Sequence, residues 1–97
     1  MKATLVEKTG YDRYPCTKCT QVEELLHRDR LLRHVDRIVL ADMRDPDSEG
    51  YQLARRYRVE RAPLFLVEQD RGAVAVFDSY LEFKRICAGV TAATIIS

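Results

Sequence analysis

The chain has 97 residues, 46% hydrophobic and 32% charged, with 16 Lys and Arg against 15 Asp and Glu for a formal charge of +1. Such a length suits one domain spanning 1–97, and the composition excludes disordered and collagen-like classes. The charge balance argues against a nucleic-acid binder that draws its affinity from a large basic surface. No window approaches the roughly 18 apolar residues of a membrane helix, and three cysteines are too few, and odd in number, for a disulfide-stapled scaffold.

Residues 3–8 read as a short strand whose apolar stretch is too brief for a signal peptide. A cytoplasmic, reducing setting is therefore expected, where a close cysteine pair serves catalysis, redox sensing or metal binding more often than structure. Gly10 to Pro15 read as a loop, and Pro15 keeps Tyr14 out of helical geometry. From Thr17 to about Arg33 the pattern is helical, with Val22, Leu25, Leu26 and Leu32 on one side. Residues 36–43 contain a continuous apolar run, the pattern of a buried central strand. Asp45 to Ser48 form a turn, and Asp47 or Ser48 caps a helix from about Glu49 to Tyr57. Arg55, Arg56, Arg58 and Arg61 crowd its end. They read first as a solvated face offsetting the helix dipole, and second as a phosphate or substrate site.

Pro63 introduces a strand over 64–68. Gln69, Asp70, Arg71 and Gly72 turn it into a second strand over 73–77, a hairpin. Asp78 or Ser79 then caps a last helix through about Ala88, with Tyr80, Phe83, Ile86 and Cys87 inward and Gly89 as its C-cap. The order is βαβαββα. Helical crossovers in the first half give parallel pairing and the hairpin adds antiparallel strands. The expected fold class is thus α/β, a mixed four-stranded sheet flanked by helices.

One motif carries chemistry: Cys16-Thr17-Lys18-Cys19, a C-x-x-C where a loop becomes a helix. Unpaired backbone N–H groups and the positive dipole end favour an anion at Cys16, and a thiolate is such an anion. Lys18 adds a positive charge that tunes the thiol pKa. Cys19, one turn on, points further into the fold. In thiol–disulfide exchange Cys16 attacks a substrate disulfide and Cys19 resolves the mixed disulfide. Metal binding competes poorly. A structural zinc needs four ligands, no second C-x-x-C exists, and His27 and His34 lie on a helix running away from its own start. Cys87 alone on an inner face reads as a small hydrophobe.

With this motif on these elements, the sequence resembles the thioredoxin superfamily. The stretch Val39-Leu40-Ala41-Asp42, the turn with Pro46, Leu53 to Val59 and Arg61-Ala62-Pro63-Leu64-Phe65-Leu66 is similar to the family from its central strand to its cis-proline strand. The similarity spans about residues 3–88. It implies that Pro63 is the cis-proline packed beside Cys16 and Cys19, and that Ala62 offers its backbone to an extended substrate. It also implies no bound cofactor, a protein or small-molecule disulfide as substrate, and glutathione or a reductase as electron donor. The chain departs from thioredoxins in lacking Trp before Cys16 and Gly-Pro between the cysteines, and from glutaredoxins in carrying Phe77-Asp78-Ser79 where those have a Gly-Gly. Thioredoxin's buried acidic proton relay has no secure counterpart, because Glu7, on the corresponding strand, lies too far upstream and reads as exposed. The expected function is a thiol–disulfide oxidoreductase. The alternative is a redox-inactive or redox-sensing binding module on the same fold.

Overall fold

The computed structural model describes residues 2–12, 14–69 and 72–96, with side chains as far as residue 88. Strand β1 (Lys2–Thr9) leads to helix α1 (Thr17–Arg28), a 3-10 turn (Leu32–His34), β2 (Arg37–Asp42), α2 (Glu49–Arg56), the hairpin β3 (Leu64–Glu68) and β4 (Val74–Phe77), and α3 (Tyr80–Ile96). The strands form one mixed sheet in the order β2-β1-β3-β4. β1 runs parallel to β2 and antiparallel to β3, and β3 runs antiparallel to β4. No described helix is long and apolar enough to cross a membrane.

Period-two alternation along β1 sends its residues to two separate cores. Ala3 and Leu5 join Val22 and Leu26 of α1, Phe65 of β3, and Phe83 and Cys87 of α3. Val6 faces the other way, joining Val39, Ala41, Leu64 and Leu66, against which Tyr51 and Leu53 of α2 pack. The first core is anchored by the stacked rings of Phe65 and Phe83, whose centroids are 4.3 Å apart. Tyr80 Oη donates to Leu25 O at 3.1 Å and also to the Asp29 carboxylate, tying the start of α3 to the end of α1.

Several sequence expectations are corrected. β2 lies at the sheet edge, not its centre, with Ile38 and Leu40 44% and 47% exposed. Its run of apolar residues implies two covered faces, whereas only the Val39–Ala41 side meets a helix. Helix α1 stops at Arg28, five residues before the expected end. Asp29 caps it and Arg30 takes a left-handed φ of 56°. Leu31 N donates to Leu26 O and Arg30 N to His27 O, the paired bonds of a Schellman stop that normally uses glycine. Helix α2 ends in the same way, with Arg58 at φ 57° and Val59 N donating to Ala54 O. Gly89 does not end α3, which continues to Ile96. A single glycine costs only about 1 kcal/mol within a helix. Ser48 occupies the N-cap of α2 without a side-chain capping bond, because its hydroxyl accepts from Asp42 N at 3.0 Å. Asp70 and Arg71 of the hairpin turn and the side chains of the 90–97 tail lie outside the described residues.

Gly50 sits inside the first turn of α2. A Cβ there would lie 2.3 Å from Ala41 N and 2.4 Å from the Leu40 carbonyl carbon. The contact is with backbone, which cannot swing aside. Gly50→Ala is therefore expected to lose about 3 kcal/mol of stability in urea unfolding, despite alanine's better helix propensity. An unchanged or higher midpoint would show that α2 does not rest on β2 this closely.

Candidate functional site

The end of β1 builds the site. Gly10 N donates to Tyr14 O at 3.1 Å, and Pro15 forms a bridge with Thr9, so the loop folds back along its own strand. This return delivers Cys16 beside Lys8: Cys16 N donates to Lys8 O at 2.9 Å, while Lys8 N donates to Cys19 Sγ at 3.3 Å. One residue thus holds both cysteines through its backbone.

Cys16 is the N-cap of α1. Its φ of −63° and ψ of 162° are extended, and its sulfur accepts from Cys19 N at 3.3 Å where a Ser or Asp oxygen ordinarily would. The two sulfurs share a hydrogen bond at 2.7 Å. Cys16 is half-buried and Cys19 fully buried, so Cys16 is the more accessible sulfur. Burial pushes the Cys19 thiol up from 9.0 to about 12, and the bond with Cys16 adds to it, against a smaller downward pull from Lys8 N–H. Lys18 is exposed on the first turn of α1. Cys87 lies apart in the core formed with Phe83 and Leu5, and burial raises its thiol pKa.

The Ala62–Pro63 peptide bond is cis. Leu64 pairs with Val6 across the β1–β3 ladder. The ladder ends there, so Pro63 and Ala62 precede β3 at the end of β1 that leads to Lys8, whose backbone bonds both cysteines. Pro63 is buried and Ala62 half-buried. Among the described residues, no three His, Cys, Asp or Glu side chains gather as metal ligands would.

Glu7 overturns its sequence reading. It is 2% exposed, one of two buried polar residues on β1 with Thr9. It shares the α1-facing side of β1 with Ala3 and Leu5, and one carboxyl oxygen is buried with no hydrogen-bond partner. Burial, then the charge of Glu23, then a hydrogen bond with that same carboxyl push Glu7 up from 4.5 to about 7. Glu23 lies one turn beyond Cys19 on α1, and the Glu7 charge contributes to the raised Cys19 pKa. The site thus brings together a half-buried sulfur, a buried sulfur and a buried carboxyl with a half-buried one beside it. The alternation Ala3, Leu5, Glu7 was the signal available in the sequence. Tyr11 and Tyr14, each 72% exposed, add apolar surface on the loop ahead of Cys16.

No protein-family model and no curated protein sequence matches the chain. Among solved structures it is similar to Deadhead, a germline-specific thioredoxin of Drosophila melanogaster, at 18% identity and a TM-score of 0.53, covering 91% of this chain and 80% of that one. It is also similar to a thioredoxin from Thermus thermophilus at 27% identity and a TM-score of 0.48, covering 93% and 74%. With the mixed sheet and its flanking helices, the likeness to Deadhead establishes a thioredoxin-like fold.

The Glu7 shift has a signed consequence for stability. The native state keeps a proton on Glu7 that the unfolded chain releases above its ordinary pKa of 4.5. Between there and about pH 7 the native state binds more protons than the unfolded state, so stability falls as pH rises. The shift corresponds to a loss on the order of 3 kcal/mol. Glu7→Gln should remove this slope and leave the protein more stable than wild type at pH 8, measured by urea unfolding across pH. Parallel pH profiles for the two proteins would contradict the buried carboxyl.

Proposed function

We propose that the chain is a thiol–disulfide oxidoreductase working through Cys16 and Cys19. The observation that carries this reading is the 2.7 Å sulfur pair at the start of α1, with one member half-buried and the other fully buried. The thiolate of Cys16 attacks one sulfur of a substrate disulfide, forming a mixed disulfide and releasing the first substrate thiolate. Helix-terminal N–H groups, Cys19 N among them, face the charge at Cys16 before attack. The Cys19 thiol, kept protonated by burial, then gives its proton to the Glu7 carboxylate and attacks Cys16 Sγ. That step closes the Cys16–Cys19 disulfide and expels the second substrate thiolate. Two electrons have passed to the substrate, and an external thiol donor, glutathione or a reductase, returns them.

Glu7 suits the acceptor role because a carboxyl near pH 7 is partly ionised at neutral pH. The Glu23 carboxyl beside it hydrogen-bonds Glu7 and helps to raise its pKa. Pro63 has no N–H to compete for the sulfurs, and Ala62 offers its backbone to an extended substrate. Lys18 supplies a positive charge on the substrate side of Cys16. The substrate is a protein or small-molecule disulfide, and no bound cofactor takes part. A cytoplasmic, reducing setting matches a pair that cycles through its dithiol form.

Three variants separate these roles in a disulfide-reduction assay with dithiothreitol as the donor. Cys16→Ser abolishes turnover. Cys19→Ser accumulates a mixed disulfide at Cys16, visible as a mass adduct on the intact chain. Glu7→Gln forms the mixed disulfide at the wild-type rate and resolves it on the order of 100-fold more slowly near neutral pH. Turnover unaffected by Cys16→Ser, or absent from the wild type, would leave the fold as a binding module without exchange chemistry.

A further inference from the structure

The segment leaving α2 curves around a cleft of about 710 Å3 on the sheet face opposite α1. That volume lies within the range of ligand clefts, about 300–1,000 Å3. Val6, Ala41 and Leu64 give it an apolar floor. Its rim carries Lys8, Arg55, Arg58 and Arg61 against the acidic Glu60 and Asp78. Arg61 faces Asp78 at 3.8 Å and Arg55 faces Asp47 at 4.0 Å, while no ion pair among the described residues engages Lys8 or Arg58. Offsetting the dipole of α2 accounts for Arg55, in its last turn, but not for Arg58, Arg61 and Lys8. The helix ends at Arg56, and Arg58 and Arg61 lie beyond it on the connection to β3.

Two residues join the cleft to the exchange site. The Lys8 backbone bonds both cysteines while Lys8 also lines the cleft. Ala62, next to Pro63, belongs to the same wall. An extended chain that lies along Ala62 with its cysteine at Cys16 therefore runs across the basic rim. We propose that this cleft takes the acidic flank of an extended disulfide-containing polypeptide, its carboxylates on the Arg58, Arg61 and Lys8 charges and an apolar side chain over Val6 and Leu64. Guanidinium groups suit such carboxylates because they donate paired hydrogen bonds. The inference rests on the exchange reading for the purpose of binding, but it is read out separately from it.

The test uses the full chain and two cysteine-free peptides that differ only in three flanking glutamates or glutamines, with binding measured by calorimetry. The acidic peptide should bind at least about tenfold more tightly, the effect of a single well-placed charged hydrogen bond. The preference should shrink with salt and vanish in Arg58→Gly combined with Arg61→Gln. Arg58→Gly relieves a left-handed backbone, and a urea-unfolding midpoint of the double variant close to wild type distinguishes loss of binding from loss of fold. Equal binding of the two peptides, or a preference that survives both substitutions, overturns the proposal. Disulfide-bonded versions of the peptides are then assayed for reduction. Acidic preference in binding with no reduction of either peptide supports the cleft and removes the exchange reading. Equal binding with efficient reduction of both does the reverse.

Discussion

The Lys8 peptide group is the constraint on which the rest depends. Its carbonyl receives Cys16 N and its N–H reaches Cys19 Sγ, so the last stretch of β1 and the first turn of α1 are fixed to one another. The fold-back of Gly10 to Pro15 makes those bonds possible, and the burial of Ala3 and Leu5 against α1 and α3 keeps β1 in place. Consequences follow in opposite directions from the same strand. The inward residue before Lys8 is Glu7, beneath the helix. The Lys8 side belongs to the other sheet face and its cleft. A strand with period two thereby presents a buried carboxyl to one side and a cation to the other.

Burial distinguishes the two sulfurs. Cys16, at the N-cap, faces both solvent and the free N–H groups of the helix start. Cys19, one turn in, loses contact with water, and its thiolate becomes costly. In the proposed exchange, a thiol held that high resolves a mixed disulfide only with a base at hand, which is the role proposed for the buried Glu7. A carboxyl without full hydrogen-bond satisfaction is expensive to bury. The protein accepts that cost directly beneath its cysteine pair, where strain and destabilisation are expected to concentrate.

Local signals read well from the sequence. The C-x-x-C at a helix start, the Leu64–Glu68 strand, the hairpin and the order of elements all follow from periodicity and turn residues, because each depends on neighbours in the chain. What depends on distant partners was less legible. β2 carries Ile38-Val39-Leu40-Ala41, a run suited to the centre of a sheet, and only the pairing order puts it at the edge. Glu7 reads as exposed in isolation, and it becomes buried because Ala3 and Leu5 commit that face of β1 to the core. Gly50 resembles a loop residue until α2 is laid on Ala41. Arg30 and Arg58 end their helices in a conformation that sequence rules reserve for glycine; the stop of α1 was displaced for that reason, whereas α2 ends at Arg56, within one residue of the expected Tyr57.

The central claim is that Cys16 and Cys19 form one reversible dithiol–disulfide couple while Cys87 stands outside it. Equilibrating the full chain in glutathione buffers of graded ratio, quenching with acid and mapping the disulfides by mass spectrometry tests this directly. The account predicts a single two-electron transition in which only the Cys16–Cys19 bond forms and Cys87 stays a thiol. A stable glutathione adduct at Cys16 without closure onto Cys19, or a disulfide involving Cys87, would contradict it.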